Sequence, residues 1–302
     1  MSITNSPFAP CPVCNIEEIS FLIHAKDYSL TQDHFQIIQC ANCGLKYTHP
    51  MPPKDQIGHY YNFPEYISHT DVKTGWMNQL YHRVRNFTLQ SKTNWVQGLF
   101  TGHKGTLLEV GAGTGAFANA MKDKGWQVTA LEPDTASRER AFVNYGIELL
   151  PIEKLTELPA AKFDVITLWH VLEHVHDLKE YVECFEKVLK TNGRLIIAVP
   201  NYTSYDAQYY KKYWAAYDVP RHLYHFSPNS MKRLMQQFNL QIIEYKPMWF
   251  DSFYVSLLSE KYKKSGILGI ARAFIIGCIS NLKAIRDQQS ASSLIYVIKK
   301  CT

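Results

Sequence analysis

The chain has 302 residues, of which 46% are hydrophobic and 20% charged, so it is long enough for one large domain with a core and one small domain. The formal net charge of +5 is mild for this length and no lysine- or arginine-rich block occurs, which argues against nucleic acid as a partner. The first residues have neither a basic start nor an apolar run, so we expect no secretory signal and a cytoplasmic location.

Two C-x-x-C pairs form the first motif along the chain. Cys11 and Cys14 make the first pair and Cys40 and Cys43 the second, with 25 residues between them. Four thiolates complete a tetrahedral coordination sphere, so the spacing predicts a structural zinc ion in a small β domain, a zinc ribbon with a β-hairpin between the pairs. The alternatives are a ribbon without metal and disulfides, which a reducing cytosol disfavours.

Proline content and element patterns predict the domain boundaries. We expect a zinc-ribbon-like domain at 1–50 and a linker with a helical segment at 51–100, which begins with the stiff sequence Pro-Met-Pro-Pro. The remaining residues, 101–302, are predicted to form the large α/β domain, with a helical insertion at about 260–290.

Residues 107–115, Leu-Leu-Glu-Val-Gly-Ala-Gly-Thr-Gly, are the most informative run. The apolar residues before Glu109 are typical of a buried parallel strand, and a helical pattern follows the last glycine. Gly111, Gly113 and Gly115 predict a turn whose missing side chains let backbone amides approach a ligand. Strand, glycine turn and helix in this order form the nucleotide-binding corner of an open α/β sheet. We therefore expect a cofactor that contains a nucleoside.

Two glutamates bear on the choice of cofactor. Glu132 ends the next apolar strand, where a carboxylate binds ribose hydroxyls in either class of nucleoside cofactor. The glycines alone also fit a dinucleotide site. However, Glu109 lies two residues before the first glycine, where its charge would repel a pyrophosphate. This position suits a zwitterionic ligand with a cationic sulfonium.

Three segments together resemble the class I S-adenosylmethionine-dependent methyltransferases: 107–115, the Leu-Glu-Pro-Asp run at 131–134, and 163–175. The similarity runs from about residue 80 to 260. It implies a doubly wound, Rossmann-like α/β sheet that binds S-adenosylmethionine and transfers its methyl group. The residues that it implicates in cofactor binding are Glu109, Gly111, Ala112, Gly113, Gly115, Glu132, Trp169 and His170.

The remaining elements agree with a doubly wound sheet. Asp177 is typical of a helix cap, and the apolar spacing predicts a helix from there to Asn192-Gly193. A short buried strand follows at 194–200. Ser227-Pro228 predicts the start of another helix, and 240–245 and 294–298 are predicted late strands. Strands and helices thus alternate.

The segment 214–227 is the predicted wall of the acceptor pocket, because it follows the fifth strand on the side where doubly wound folds bind ligands. His222 is the predicted general base, since an ordinary histidine pKa near 6.5 allows it to take a proton at neutral pH. Arg221 could hold an anionic group of the acceptor. His174 and His225 are the second choices for the base. The alternative for each of these side chains is a structural role.

A metal site is a further alternative for part of this region. His170, Glu173 and His174 superficially resemble a metal-binding face, but the neighbouring sequence offers no further ligand. This reading is therefore set aside in favour of the acceptor role.

A closer resemblance concerns the acceptor. A four-cysteine ribbon followed by Arg-His-Leu-Tyr-His-Phe-Ser at 221–227 is similar to bacterial methyltransferases that act on sugars or other small metabolites. The sugar C-methyltransferases have a motif at this place in which a histidine follows a glutamate. In the present chain His222 matches that histidine, whereas Arg221 stands in place of the glutamate. The resemblance implies a small-molecule or saccharide acceptor. The alternatives are a macromolecular acceptor (RNA, protein or lipid-linked glycan) and a catalytically silent scaffold that binds the cofactor.

The apolar stretch at 267–279 is about 13 residues long and contains Arg272. A stretch of this length is too short to cross a bilayer. We therefore expect no transmembrane segment. The stretch predicts a buried helix, with an interfacial helix near 267–282 as the alternative.

Overall fold

The computed structural model describes residues 8–61, 76–100 and 104–301. The strands are β1 (Ile19–Lys26), β2 (His34–Cys40), β3 (Lys46–His49), β4 (Thr106–Val110), β5 (Gln127–Leu131), β6 (Phe163–Trp169), β7 (Leu189–Pro200), β8 (Tyr224–His225), β9 (Leu240–Pro247) and β10 (Ser293–Lys300). The helices are α1 (Trp76–Gly98), α2 (Ala116–Asp123), α3 (Thr135–Tyr145), α4 (Leu178–Val188), α5 (Tyr205–Tyr210), α6 (Pro228–Gln236), α7 (Asp251–Tyr262) and α8 (Gly266–Arg286).

The larger sheet has the strand order β5-β4-β6-β7-β10-β9. Strand β4 pairs in parallel with β5 and with β6, whereas β9 and β10 are antiparallel. The strands of this sheet are almost entirely apolar where they are buried, as a sheet covered by helices on both faces requires. The predicted α/β, Rossmann-like fold is therefore confirmed.

The smaller sheet has the order β1-β2-β3-β8, and each neighbouring pair is antiparallel. Strands β1 and β2 form the hairpin predicted between the two cysteine pairs. Strand β8 comes from the distant segment that the sequence assigned to the acceptor pocket. The Thr48 hydroxyl donates to the carbonyl of His222 across 2.7 Å, and its amide donates to the carbonyl of Leu223 across 3.0 Å. The hairpin sheet thus holds the backbone of residues 222–225.

The chain divides into two compact units. The first, here called the ribbon unit, comprises residues 1–61, 170–186 and 196–302, and the second, the glycine-turn unit, comprises 62–169 and 187–195. In the ribbon unit, Phe35 and Ile37 of β2 share an apolar core with Trp214, Tyr217 and other residues of the 207–219 region. The sequence-based boundaries at residues 50 and 100 stay a prediction, and residues 62–75 of the predicted linker lie outside the described residues.

Two elements differ from the sequence-based expectation. Helix α4 ends at Val188 and strand β7 begins at Leu189, before the predicted stop at Asn192-Gly193. Both Val188 and Leu189 are fully buried, so an apolar pair that fits a helix pattern also serves as the start of a buried strand.

Helix α8 is longer than expected. It spans 21 residues with a mean hydropathy of 1.5 over its most apolar window, so by length and composition it could cross a membrane. We expected an apolar segment too short to cross a membrane, and the expected length was wrong, because the helix continues beyond the apolar run to Arg286. Only 33% of that window is buried. The prediction of a buried helix therefore holds for one face alone.

Candidate cofactor and acceptor sites

The glycine turn follows directly from β4 and leads into α2. Gly113 and Gly115 have φ angles of 54° and 77°, in the left-handed region that favours glycine. A Cβ atom at Gly115 would lie 3.0 Å from the Cβ of Ala141, so close packing also excludes a side chain there. At Gly113, by contrast, no other atom lies within 4 Å of such a Cβ position. The turn therefore exposes backbone at Gly113 and packs tightly at Gly115.

Glu132, at the end of β5, binds the backbone of this turn through hydrogen bonds. Its Oε2 accepts a hydrogen bond from the amide of Gly113 at 2.7 Å, and its Oε1 accepts one from the amide of Asp134 at 3.0 Å. Burial raises the pKa of the carboxyl group, and the two amides oppose this increase. A carboxylate has about four lone-pair sites, so these bonds leave capacity for further donors such as ribose hydroxyls.

Glu109, on β4, is a buried carboxyl group in the glycine-turn unit. Its side chain is 3% exposed, and its Oε2 has no hydrogen-bond partner among the residues that the structure describes. Burial raises its pKa to about 8, although the positive charge of Lys92 opposes the shift. Leaving a buried carboxyl oxygen without a donor is costly, so this site favours a ligand that brings a donor or a positive charge.

Lys92 and Trp169 lie in the same unit. The Lys92 ammonium is 4.5 Å from the centre of the Trp169 ring, and this ring also packs edge-on against Phe117 at 5.3 Å. Trp169 is among the predicted cofactor-binding residues, whereas Lys92 was not predicted, because α1 precedes the recognisable motif and carries no signal of its own.

His170 begins the part of the ribbon unit that follows β6. Its Nδ1 is 3.3 Å from Oε1 of Glu173, and its Nε2 is 3.3 Å from Oδ2 of Asp251. Burial opposes a charge on the ring, but the two carboxylates prevail and raise the pKa of His170 to about 9. Its backbone amide donates to the carbonyl of Ala198 at 2.9 Å. The predicted role of His170 in cofactor binding stays a prediction.

His174 and His222 come together although they are 48 positions apart in the chain. Their rings meet edge to face, with centres 4.6 Å apart. Nδ1 of His222 lies 2.8 Å from the carbonyl of Ala216, and Nδ1 of His174 lies 3.0 Å from the carbonyl of Arg221. A carbonyl only accepts, so Nδ1 of His222 carries a proton. Nδ1 of His174 also lies 2.9 Å from the hydroxyl group of Tyr61, which can either donate or accept. Burial, assisted by His222, lowers the pKa of His174 to about 4, so this ring is neutral at neutral pH.

Glu173 lies beside these two rings. Its side chain is 1% exposed, and neither carboxylate oxygen has a hydrogen-bond partner among the described residues. The contact with His170 is one of charge rather than a well-directed hydrogen bond. Burial alone would raise the pKa of Glu173, but the neighbouring side chain of His170 holds it below its ordinary value. The cluster therefore combines a buried carboxylate with two imidazoles, of which the His174 ring is neutral at neutral pH.

Arg221 has a different environment from the one that the sequence suggested. Its guanidinium is 1% exposed and pairs with Asp27 at 2.9 Å and with Asp218 at 2.6 Å. It also donates to the carbonyl of Tyr60 at 3.1 Å. Two carboxylates already neutralise this charge within the core, which argues against the predicted role in holding an anionic group of the acceptor. His225, the other second choice for the base, is 4% exposed and lies 3.3 Å from the Thr48 hydroxyl.

The four cysteines of the predicted ribbon converge. Sγ of Cys11 lies 3.5 Å from Sγ of Cys43, and Sγ of Cys14 lies 3.4 Å from Sγ of Cys40. All four sulfur atoms are within 4.8 Å of one another. A disulfide requires about 2.05 Å, whereas thiolates about 2.3 Å from one tetrahedral ion are close to the separations seen here. The four thiols are free, so the geometry disfavours the disulfide alternative.

Comparisons with known proteins agree with these features. A family model described as a methyltransferase domain matches residues 80–245. A protein of Idiomarina loihiensis named ubiquinone biosynthesis O-methyltransferase is 28% identical over 60% of this chain and 78% of its own length. A protein of the same name from Salmonella paratyphi A is 34% identical over 40% of this chain, which spans only 51% of that relative.

Among solved structures, the geranyl diphosphate C-methyltransferase of Streptomyces coelicolor has a TM-score of 0.52, covering 82% of this chain and 97% of its own, at 15% identity. This likeness concerns the fold alone. The family model, in contrast, covers more than half of the chain and includes the glycine turn, Glu132 and the end of β6. The chain belongs to the class I S-adenosylmethionine-dependent methyltransferases.

Proposed function

We propose that the protein transfers a methyl group from S-adenosylmethionine to a hydroxyl group of a small molecule. The observation that carries the cofactor assignment is Glu109, a buried carboxyl group with an unpartnered oxygen next to a turn of left-handed glycines. A ligand with a permanent positive charge compensates the carboxylate form of this group, whereas a pyrophosphate would be repelled by that form. The glycine-turn unit therefore fits the cofactor of the family.

Each cofactor contact is proposed from the residues present. S-adenosylmethionine supplies an electrophilic methyl group on a positively charged sulfur. Glu109 offers negative charge to the methionyl part, and the free lone pairs of Glu132 accept hydrogen bonds from the ribose hydroxyls. Backbone at Gly111, Ala112 and Gly113 lies against the cofactor, because no side chain at Gly113 blocks the approach. Trp169 is the last residue of the glycine-turn unit that we propose to contact the cofactor.

The acceptor class follows from the Glu173–His174–His222 cluster and from the relatives. Both relatives described above are named O-methyltransferases. An oxygen nucleophile must lose its proton, and imidazoles beside a buried carboxylate are groups that can take it. His222 keeps its predicted role on the acceptor side, with Nε2 as the functional atom. A saccharide hydroxyl is the second candidate acceptor, supported by the resemblance of residues 221–227 to the sugar methyltransferases.

The four cysteines are proposed to hold one structural zinc ion. Four thiolates close the coordination sphere, so this ion would leave no position for substrate. Its role is to fix the hairpin β1–β2, which shares its core with residues 207–219 and its sheet with β8. The zinc ion would therefore support the acceptor segment from a distance.

Helix α8 is proposed to rest on a membrane surface. Its exposed apolar residues include Ile267 at 86%, Leu268 at 77% and Ile270 at 61% exposure. Lys283 on the same helix adds positive charge, which favours anionic lipid, whereas Arg272 pairs with Glu260 at 3.5 Å. An apolar face with flanking basic residues is typical of an interfacial helix.

A turnover assay tests the proposed function. Purified zinc-loaded protein is incubated with S-adenosylmethionine and separate pools of catechols, polyprenylated phenols and nucleotide sugars, and S-adenosylhomocysteine is quantified by mass spectrometry. We expect product with a hydroxylated small molecule, and loss of turnover without loss of cofactor affinity in His222→Ala. Cofactor binding without turnover on any of these pools, or on an RNA pool, would favour the silent scaffold instead.

A further inference from the structure

We infer that Glu173, His174 and His222 form a binding site for one divalent transition-metal ion, distinct from the cysteine site. One ligand atom from each of the three side chains lies within 4.8 Å of the other two. Ligands at about 2.0–2.2 Å from a common ion lie roughly 3–4 Å apart, so small side-chain rotations would close the site. The inference rests on the proposed function for the identity of the acceptor, but not for the metal site itself.

The hydrogen bonds of His174 and His222 resemble those that histidines make when they bind a metal ion. In metal sites the ring nitrogen that does not bind the ion usually donates to a carbonyl or carboxylate, which fixes the tautomer. Here Nδ1 of His222 donates to the Ala216 carbonyl at 2.8 Å, and Nδ1 of His174 lies 3.0 Å from the Arg221 carbonyl and 2.9 Å from the Tyr61 hydroxyl. These bonds use Nδ1 of each ring, so Nε2 is the nitrogen that is left for an ion. Each imidazole is held in place before any ion arrives.

The environment of Glu173 supports the metal site independently of the histidines. A carboxylate that is 1% exposed and has no hydrogen bond to either oxygen is rare, since buried polar groups are normally paired. His170 offsets part of its charge at 3.3 Å but does not satisfy the oxygens. A cation between Glu173 and the two rings would satisfy them. A purely structural role for Glu173 leaves this cost unexplained.

The donor set indicates the class of ion. Two imidazoles and one carboxylate suit Zn²⁺, Fe²⁺, Co²⁺ or Mn²⁺, and three protein ligands leave coordination positions open. Both histidines are partly exposed, so a small molecule can reach these positions. The set thus differs from the cysteine site, in which four thiolates favour zinc and exclude substrate.

The ion would act on the acceptor hydroxyl. Coordination of the hydroxyl oxygen lowers its pKa, as it does for metal-bound water, and the proton leaves to solvent water. In this role His222 is a ligand rather than the general base.

Manganese binding tests the inference without an activity assay. Protein with zinc in its cysteine site is titrated with Mn²⁺, and free Mn²⁺ is followed by electron paramagnetic resonance. Thiolates select zinc over manganese, so the cysteine site should not take the probe. We expect about one bound Mn²⁺ per chain. The variants Glu173→Gln and His222→Gln should weaken binding by at least the roughly 10- to 100-fold that loss of an outer-sphere partner costs.

The controls separate this inference from the proposed function. His176→Gln, three residues beyond Glu173, removes a histidine whose Nε2 contacts the Pro52 carbonyl, and should leave Mn²⁺ affinity unchanged. Circular dichroism checks that each variant is folded, and calorimetry with S-adenosylhomocysteine checks the cofactor site. No Mn²⁺ or Co²⁺ binding by the parent protein, or equal Mn²⁺ binding by both folded variants, would overturn the metal site even if the cofactor binds. Metal binding without cofactor binding would overturn only the proposed function.

Discussion

Arg221 donates a hydrogen bond to the carboxylate of Asp27, 194 positions earlier in the chain, across 2.9 Å. Both side chains are buried, at 1% and 0% exposure. Asp27 also accepts hydrogen bonds from the amides of Ser29 and Thr31 in the turn that connects β1 and β2. The ion pair therefore joins the hairpin between the cysteine pairs to the segment that carries His222.

This ion pair gives the first prediction. Arg221→Met should lower the free energy of unfolding by about 3–5 kcal/mol, because it leaves the Asp27 charge buried without its partner. Urea denaturation followed by circular dichroism measures the change. As the control, Lys154→Met removes an exposed ion pair with Glu157 and should cost at most about 1 kcal/mol. Equal losses in the two variants would contradict the assigned role.

The second prediction concerns zinc. Purified protein should contain about one zinc ion per chain, and Cys43→Ser should lose it. Because the hairpin shares its core with residues 207–219, loss of the ion should also lower the melting temperature by roughly 5 °C or more. Elemental analysis and calorimetry measure both effects. Cys301→Ser, at an exposed position, is the control and should change neither. Zinc-free protein that melts at the same temperature would refute the site.

The third prediction follows from Glu109. With a pKa of about 8, this carboxyl group is mostly protonated at neutral pH in the free protein. A cationic ligand favours the carboxylate, so binding of S-adenosylmethionine must release a proton below that pKa, and affinity should rise with pH up to about 8, by at most about tenfold per unit. Calorimetry at pH 7 in buffers of different ionisation enthalpy counts the protons. The variant Glu109→Gln should release fewer protons on binding than the parent protein. Equal proton release by the two proteins would exclude Glu109 as the source of the protons.

A fourth prediction concerns helix α8. Flotation with anionic phospholipid vesicles should recover the parent protein with the lipid, and the double variant Leu268→Glu with Ile270→Glu should stay behind. Both side chains are more than half exposed, so the substitutions should leave stability nearly unchanged. Val143→Glu, in which the replaced side chain is 80% exposed on α3, is the matched control. Recovery that does not depend on these residues would argue against an interfacial helix.

The sequence predicted those features whose signals are local. The run from Leu107 to Gly115 combines an apolar strand, glycines and a helix start, and each is legible within a few residues. The same holds for the two C-x-x-C pairs and for the Ser227-Pro228 cap, whose capping box the structure contains. Alternation of such local signals was sufficient to predict the fold.

Long-range pairing accounts for what the sequence did not predict. Nothing near Arg221 indicates that Asp27 will meet it, so its charge suggested a substrate contact rather than a buried ion pair. His222 reaches His174 only because β8 joins the sheet of the cysteine hairpin. The grouping of His222 with Glu173 and His174 was not predicted for the same reason, because His222 lies 48 positions or more away in the chain.

The central claim is that the glycine turn binds the adenosyl cofactor of methyl transfer. Isothermal titration calorimetry of zinc-loaded protein with S-adenosylhomocysteine and, separately, with a nicotinamide dinucleotide tests it most directly. We predict one S-adenosylhomocysteine bound per chain, weakened by more than about tenfold in Glu132→Ala, which removes the ribose acceptor. No heat with S-adenosylhomocysteine, together with saturable binding of the dinucleotide, would contradict the account.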